Sequence, residues 1–213
     1  MSNVIFRDIE ENDLDALKGL IVEALGKGWN FEHYNQSTPL FQALLDVYLS
    51  MFLNSSTFGK VAIVDKEIIG VILCSACGEE EKFRYMQKDR ATQTLILLSA
   101  EEEKRKDIVE HLSVSFQAIG ILLEDKINYE GSLEFIAVAK KARGLNIGKS
   151  LWNQASDYFK AKKIKQIYLI TDSDSSFGFY DNNGFLKVAN QEVFYNYSNG
   201  KKKNDIFLYE YKF

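Results

Sequence analysis

Residues 138–151 read Val138-Ala-Lys-Lys-Ala-Arg-Gly-Leu-Asn-Ile-Gly-Lys-Ser-Leu151. It predicts a strand, then a short loop containing glycine, then an amphipathic helix. The N–H groups at a helix start have no acceptor within the helix, and the helix dipole favours an anion there. Gly144 and Gly148 let the backbone approach a ligand closely. Residues 143–149 therefore predict a cradle for a phosphate-bearing molecule. Four basic side chains add positive charge to this region: Lys140, Lys141, Arg143 and Lys149.

One interpretation of the cradle is a nucleotide-binding P-loop. Gly148-Lys149-Ser150 matches the end of the G-x-x-x-x-G-K-[ST] motif, and a strand ending at Asp172 imitates the magnesium-holding strand of such proteins. The spacing disagrees, because the first glycine of the motif should stand at position 143, which is Arg. Only about one more βα unit follows, too little for a nucleotide-binding sheet. A P-loop NTPase is therefore the weakest of three functional interpretations.

The second interpretation depends on two motifs. Arg143-Gly-Leu-Asn-Ile-Gly148 resembles the [Q/R]-x-x-G-x-[G/A] signature of the GNAT family of N-acetyltransferases, which bind acetyl-coenzyme A. Asn146 stands where the family usually has its first glycine, and Asn tolerates left-handed backbone conformations better than other non-glycine residues. Phe179-Tyr-Asp-Asn-Asn-Gly-Phe185 resembles the F-Y-x-x-x-G-F segment near the end of GNAT domains. The two motifs occur in the family's order, with a predicted helix and strand between them.

The resemblance implies an α/β (α+β) fold, the GNAT acyl-coenzyme A N-acyltransferase fold. Its central sheet is mixed and mostly antiparallel and is flanked by helices, and residues 1–213 are expected to form one domain. The N-terminal half agrees by pattern, because it predicts a strand, two helices and two strands. Thr38-Pro39 places a cap and a proline at the start of the second helix. The predicted bounds are 4–9, 13–25, 39–53, 60–64 and 68–74.

Residues 78–130 depart from the minimal family pattern and are predicted to be a helical insertion. Ser99-Ala-Glu-Glu102 is interpreted as a capping box. Apolar residues then recur at helical spacing. They are Ile108, Leu112, Phe116, Ile119 and Leu123. The insertion could cover the acceptor site, form a dimer contact or only pack on the sheet.

The C-terminal part completes the predicted sheet. A strand at 133–138 precedes the cradle, a helix runs from Ile147 to about Lys163, and a strand runs from Gln166 to about Asp172. Two more strands are predicted at about 186–194 and 205–213. Asn199-Gly200 is a turn signal between them, although the loop is expected to be longer than two residues.

The resemblance also implies the ligand and its contacts. Acetyl-coenzyme A is the expected acetyl-donor co-substrate, and no metal is expected. Residues assigned to its binding are Ile136, Ala137, Val138, Ala139, Arg143, Gly144, Leu145, Asn146, Ile147, Gly148, Lys149, Ser150 and Tyr180. In the family a backbone N–H of the strand before the cradle polarises the thioester carbonyl, and here it maps near 137–139.

The predicted reaction moves an acetyl group from a thioester to a neutral amine. The resemblance assigns Tyr180 as the acid that protonates the leaving thiolate. An unperturbed tyrosine, with a pKa of about 10, can donate at neutral pH. Glu134, on the strand before the cradle, is a candidate general base. His33, in an aromatic segment between the first two helices, is a second candidate. A non-catalytic acyl-coenzyme A-binding module on the same fold remains the alternative.

The composition of the chain limits the kinds of binding partner that are expected. A net charge of −4 argues against nucleic acid, which needs a basic face. The start of the chain contains no apolar signal segment, and the most apolar window, 40–53, is too short to span a bilayer. The cytoplasm and no membrane partner are therefore expected. The acceptor is expected to be a small-molecule amine or a peptide or protein amine, and a homodimer is left open. Cys74 and Cys77 are interpreted as ordinary strand residues.

Overall fold

The computed structural model describes residues 4–26, 34–83, 90–124 and 128–213. In this part of the chain the strands are β1 (Ile5–Asp8), β2 (Phe58–Val64), β3 (Glu67–Ala76), β4 (Gly131–Val138), β5 (Gln166–Asp172), β6 (Leu186–Tyr197) and β7 (Gly200–Lys212). The α-helices are α1 (Leu14–Leu25), α2 (Pro39–Asn54), α3 (Arg90–Leu98), α4 (Glu102–Leu123), α5 (Ile147–Ala161) and α6 (Gly178–Asn182).

The strands form one sheet in the order β1-β2-β3-β4-β5-β7-β6. Every neighbouring pair is antiparallel except β4 and β5, which are parallel. The predicted mixed, mostly antiparallel sheet flanked by helices is therefore confirmed. A nucleotide-binding sheet of the doubly wound kind is mostly parallel, so this topology disagrees with the P-loop interpretation.

β4 and β5 pair at one end only. Gly131 pairs with Ile167, and Ser132 pairs with Tyr168. Beyond these pairs β4 stays bonded to β3, and β5 stays bonded to β7 as far as Asp172. The two strands therefore diverge in the middle of the sheet and leave a wedge-shaped opening, called the gap below.

A β-bulge lies in β4 beside the gap. Leu73 of β3 pairs with Phe135, and Cys74 pairs with Leu133, so Glu134 is an extra residue in β4. Neighbouring residues of a regular strand point to opposite faces of the sheet, whereas a bulge re-aims side chains and bends the strand. The bulge therefore accounts both for the divergence of β4 and for an unusual direction of the Glu134 side chain.

Helices cover both faces of the sheet. α5 lies on one face, where a Cβ added to Gly70 of β3 would lie 3.0 Å from Ile147 and 3.2 Å from Leu151. α2 lies on the opposite face, where Phe52 stacks on Phe135 of β4 with ring centroids 4.7 Å apart. We call these the α5 face and the α2 face. As predicted, α2 begins at Thr38-Pro39, and the Thr38 hydroxyl accepts a hydrogen bond from the Phe41 N–H at 3.3 Å.

The predicted helical insertion is confirmed, and the described part of it contains two helices, α3 and α4. α4 lies on the α2 face, where Ala118 and Leu122 pack with Tyr195 of β6 and Leu208 of β7 in a second apolar cluster. α3 lies against α2. Of the three expected roles, packing on the sheet is observed directly.

The Ser99–Glu102 capping box is not formed. The Ser99 hydroxyl donates instead to the carbonyl of Ile96 at 3.0 Å, at the end of α3. α4 begins at Glu102 with no side-chain cap. The prediction was wrong because a preceding helix ends at Leu98, and a carbonyl group at its end engages the serine hydroxyl.

The connection between β6 and β7 also differs from the prediction. Tyr197 pairs with Gly200, so the connection is a two-residue turn, Ser198-Asn199, and not a longer loop. β7 therefore begins five residues earlier than predicted. The run Lys201–Lys203 has no apolar alternation, and the strand forms there because it pairs with β6.

Candidate active site

A cavity of about 710 Å³ lies in the gap and reaches both faces of the sheet. On the α5 face its walls come from the cradle and α6, and on the α2 face from α2, α4, β6 and β7. β4 and β5 form its sides. The volume lies within the range of about 300–1,000 Å³ that is typical of small-molecule sites.

The backbone of the cradle leaves several donors without an acceptor in the helix. Gly144 has φ +84°, and Asn146 has φ +57°, in the left-handed region that Asn was expected to tolerate. The first helical hydrogen bond of α5 runs from the Ser150 N–H to the Asn146 carbonyl at 3.0 Å. Three N–H groups precede it and have no partner within the helix. They belong to Ile147, Gly148 and Lys149.

The cradle carries positive charge toward the cavity. Arg143 and Lys149 line it, and no described carboxylate forms an ion pair with either. Lys141 is instead paired with Glu67, away from the cavity. Lys140 donates its backbone N–H to a carboxylate of α1 at 2.7 Å. Two of the four predicted basic residues thus line the cavity, where they could bind an anion.

Gly148 allows a close approach between α5 and α6. A Cβ added at Gly148 would lie 3.1 Å from the ring of Phe179 and 3.6 Å from Val138. The first distance is tighter than almost all real Cβ contacts. A side chain at this position would push against the aromatic ring beside the cavity.

The backbone of β4 presents N–H groups to the gap. The Ala139 N–H donates to the Ile69 carbonyl of β3 at 2.8 Å. Successive N–H groups of a strand alternate in direction, so that of Ala137 also points to β3, whereas those of Ile136 and Val138 point to the gap. The predicted carbonyl-polarising N–H near 137–139 is therefore best matched by Val138.

Most residues predicted to bind the cofactor line the cavity, but three do not. Ala139 is buried, and its N–H is used by β3. Leu145 is 60% exposed and points to solvent. Ser150 lies after the first turn of α5. Of these three only Leu145 belongs to the motif, which describes the loop as a whole and not the side that meets the ligand, whereas Ala139 and Ser150 flank the motif.

Tyr180 is on α6 and lines the cavity. Its ring packs between Phe185 and Tyr209, with centroids 5.7 Å and 5.6 Å away. Burial raises the pKa of Tyr180 above its usual value of about 10, and a hydrogen bond with Thr171 offsets part of the rise. The phenol is therefore fully protonated at neutral pH.

Glu134 lines the cavity at the bulge. The Ser132 hydroxyl donates to its Oε1 at 2.5 Å. Burial raises the pKa of the Glu134 carboxyl, and hydrogen bonds from Ser132 and Ser55 offset part of the rise. Since Ser55 follows α2, the carboxyl lies on the α2 face. Glu134 is therefore a half-buried cavity residue with the raised pKa that suits a general base.

Asp172 is a cavity residue that the sequence analysis did not assign to the site. Its Oδ1 accepts hydrogen bonds from the Asp174 N–H, the Ser175 N–H and the Ser175 hydroxyl, each at 2.9 Å. Burial raises the pKa of Asp172, and the bonds from Ser175 oppose this. An acidic residue at a strand end was the available signal, but it was interpreted only as an imitation of a magnesium-binding strand.

His111 of α4 is a second missed residue, and it is 6% exposed. Its Nδ1 lies 2.7 Å from the Tyr197 hydroxyl, and its ring stacks on Tyr195 at 4.9 Å between centroids. Burial lowers the pKa of His111 to about 4, with a smaller contribution from the charge of Lys202. The ring is therefore uncharged at neutral pH. The sequence offered no signal for it beyond its position in a predicted helix.

Other expectations have a simpler outcome. His33, the second candidate base, lies outside the described residues. Within the described ranges no cluster of three or more His, Cys, Asp or Glu side chains could hold a metal ion. The described helices include none that is long and apolar enough to cross a membrane.

The family follows from comparison of the whole sequence with known families. Residues 21–185 match the sequence profile described as the acetyltransferase (GNAT) family. The match covers more than half of the chain, and the chain belongs to this family. The resemblance predicted from the two motifs is therefore confirmed.

Three solved structures of similar fold are N-acetyltransferases. One is an apo variant of agmatine N-acetyltransferase, with a TM-score of 0.63, 11% identity and 99% of each chain covered. Another is PaiA N-acetyltransferase from Thermoplasma acidophilum in complex with coenzyme A, with a TM-score of 0.54, 16% identity and 99% of each chain covered. A third is ribosomal-protein-alanine N-acetyltransferase from Brucella melitensis, with a TM-score of 0.53 and 13% identity, and the match covers 98% of this chain and 99% of that one. At these identities the likeness shows the fold alone. A search among curated proteins found no match.

Proposed function

We propose that this chain is an N-acetyltransferase that moves the acetyl group of acetyl-coenzyme A to a primary amine. The observation that carries the proposal is the cavity, which joins the cradle on the α5 face to Glu134 on the α2 face. A donor bound on one side and an acceptor bound on the other would meet in the gap. The complex of the PaiA enzyme contains coenzyme A in the same fold.

Donor binding would use mainly the backbone. The free N–H groups of Ile147, Gly148 and Lys149 would hold the pyrophosphate at the start of α5, where the helix dipole also favours an anion. Arg143 and Lys149 would add charge. The N–H group of Ile136 would bond to the chain that carries the thioester, and that of Val138 would face the thioester carbonyl.

The reaction would proceed by direct attack. The amine nitrogen forms a bond to the thioester carbon, and the developing oxyanion accepts a hydrogen bond from the Val138 N–H. The carbon–sulfur bond then breaks. The proton lost by the amine passes to Glu134, directly or through one water, and the leaving thiolate takes a proton from Tyr180. Later exchange with solvent restores both groups.

The environments of the two groups fit these roles. Glu134 has a pKa raised by burial, which increases its affinity for the amine proton. Tyr180 remains protonated until the thiolate forms, because burial also raises its pKa. The groups stand on different elements, β4 and α6, and both line the one cavity.

Calorimetric titration with acetyl-coenzyme A, and separately with ATP plus magnesium, tests the proposal first. We expect acetyl-coenzyme A alone to bind, and thiol release to follow when a primary amine is added. Binding without thiol release from any primary amine would instead indicate a non-catalytic acyl-coenzyme A-binding module. Failure of acetyl-coenzyme A to bind would overturn the proposal.

A further inference from the structure

The part of the cavity on the α2 face is walled by apolar side chains. We call it the acceptor chamber, because it lies across the gap from the cradle. α2 and α4 supply most of its wall. The wall residues from these helices include Tyr48, Met51, Phe52, Leu112, Phe116 and Ile119. Such a surface is stabilised by contact with an apolar ligand body.

The charges of the chamber are confined to its inner end. Its acidic side chains are Glu134 and Asp172, on the two strands that border the gap. Among the described lining residues the cations are Arg143 and Lys149, and both belong to the cradle on the α5 face. His111 is uncharged at neutral pH. Among the described lining residues, the end of the chamber far from the gap therefore offers no charged side chain to a ligand charge.

The two polar side chains that α4 contributes to the wall, His111 and Ser115, already bond to tyrosine hydroxyls. The His111 ring bonds to the Tyr197 hydroxyl at 2.7 Å. The Ser115 hydroxyl lies 3.0 Å from the Tyr195 hydroxyl. A second ammonium or carboxylate on the acceptor would thus meet no ionic partner among the described wall residues, and burying a charge without such a partner is costly.

We infer that the acceptor is a hydrophobic primary monoamine, which carries one amino group on an alkyl or aryl body. The amino group lies at Glu134, and the body lies against α2 and α4 in the acceptor chamber. This inference rests on the proposed acetyltransferase function and narrows its acceptor. The insertion thereby has a function, because α4 supplies the wall that selects the body of the amine.

Three amines of one chain length test the inference. Hexylamine, 1,6-diaminohexane and 6-aminohexanoate differ only at the end remote from the reacting amine. With the full chain and acetyl-coenzyme A, we expect kcat/KM for hexylamine, measured by thiol release, to exceed both others at least about tenfold. Phenethylamine is expected to match or exceed hexylamine. A peptide with a free N-terminus is expected to be a poor acceptor.

A charge placed in the wall should change the selectivity. Phe116 lines the chamber and is 50% exposed, so Phe116→Asp should be tolerated by the fold. We expect it to raise the ratio of kcat/KM for the diamine to that for hexylamine about tenfold. Val109→Asp is the matched control, because Val109 is on the same helix, 59% exposed, and does not line the cavity. It should leave the ratio unchanged.

The outcomes separate the inference from the proposed function. If acetyl-coenzyme A does not bind, the proposed function fails. If it binds and the diamine, the amino acid or the peptide is the best acceptor, the inference is wrong and the function stands. Turnover of neither hexylamine nor phenethylamine by a chain that binds acetyl-coenzyme A would also overturn the inference, as would equal ratios in the two Asp variants.

Discussion

The Ser132 hydroxyl lies 2.5 Å from Oε1 of Glu134 and donates a hydrogen bond to it. Ser132 is also the last residue of β4 that pairs with β5. The bond therefore fixes the carboxyl group at the point where the two strands part. Because the bulge brings Glu134 to the face on which Ser132 and Ser55 lie, two hydroxyls can bind one carboxyl.

The pH dependence of turnover should report Glu134. A general base must be deprotonated, so kcat/KM should rise with pH on a limb above the usual carboxyl pKa of about 4.3, because burial raises the pKa of Glu134. Ser132→Ala removes a hydrogen bond that lowers this pKa, so it should move the limb to higher pH. Glu134→Gln should remove the limb and lower kcat/KM about 10²–10⁴-fold.

Ser156→Ala is the control for these two variants, since Ser156 is a buried serine of α5 outside the cavity. Its profile should match that of the parent chain. A limb that persists in Glu134→Gln would assign the base to another group.

Tyr180→Phe should separate binding from chemistry. The ring keeps its contacts with Phe185 and Tyr209, so affinity for acetyl-coenzyme A and thermal stability should change little. Loss of the proton donor should lower kcat about 10²-fold or more. Single-turnover thiol release measures the step. Tyr211→Phe, an aromatic residue outside the cavity, should keep full kcat; full kcat in Tyr180→Phe as well would rule out the acid role.

Gly148→Ala should weaken donor binding. Its methyl group would press on Phe179 at 3.1 Å beside the N–H groups proposed to hold the pyrophosphate. We expect the calorimetric Kd for acetyl-coenzyme A to rise at least about tenfold, a change of about 1.4 kcal/mol. Gly120→Ala on α4 is the control, because a Cβ there meets nothing within 4 Å. It should keep the affinity and raise stability by about 0.5–1 kcal/mol; equal affinity in both variants would count against the cradle.

His111 should make stability depend on pH. Its pKa is about 4 in the folded chain and about 6.5 when unfolded. Between these values the unfolded chain binds more protons, so the free energy of unfolding should rise with pH from 4 to 6.5. The contribution of His111 to stability should be complete above pH 6.5. The total is on the order of 3 kcal/mol. Urea unfolding of the parent and of His111→Phe measures it; the same slope in both would contradict the assignment.

The cradle and its neighbours could be predicted because their signals are local. The start of α5 at Ile147 follows from a glycine-bearing loop and a helical pattern, and β5 was placed at Gln166–Asp172 by its apolar run. Asn146 stands where the family usually has a glycine, and Asn tolerates the left-handed conformation that the structure shows there. Tyr180 is assigned through the family motif, and the structure shows that it lines the cavity.

The missed features depend on partners distant in sequence. The bulge at Glu134 depends on the register between β4 and β3, and the sequence of β4 alone does not indicate it. Burial of His111 requires Tyr195 and Tyr197, more than eighty residues away. Asp172 had a local signal, an acidic residue at the end of a predicted strand, but this signal was not connected with acetyl transfer. The organisation of residues 1–213 as one domain, the cytoplasmic location and a homodimer stay predictions.

The divergence of β4 and β5 gives this protein two open strand edges inside its own sheet. Edge strands normally occur at the rim, where unpaired main-chain groups invite another chain to pair with them. Here the unpaired main-chain groups lie inside the sheet. We expect coenzyme A, which contains amide groups, to form hydrogen bonds with them. The amide hydrogens of Ile136 and Val138 should then exchange with solvent faster than those of Ala137 and Ala139 in the free protein. Saturation with acetyl-coenzyme A should slow the exchange at Ile136 and Val138, because the bound donor would occupy the place of a neighbouring strand.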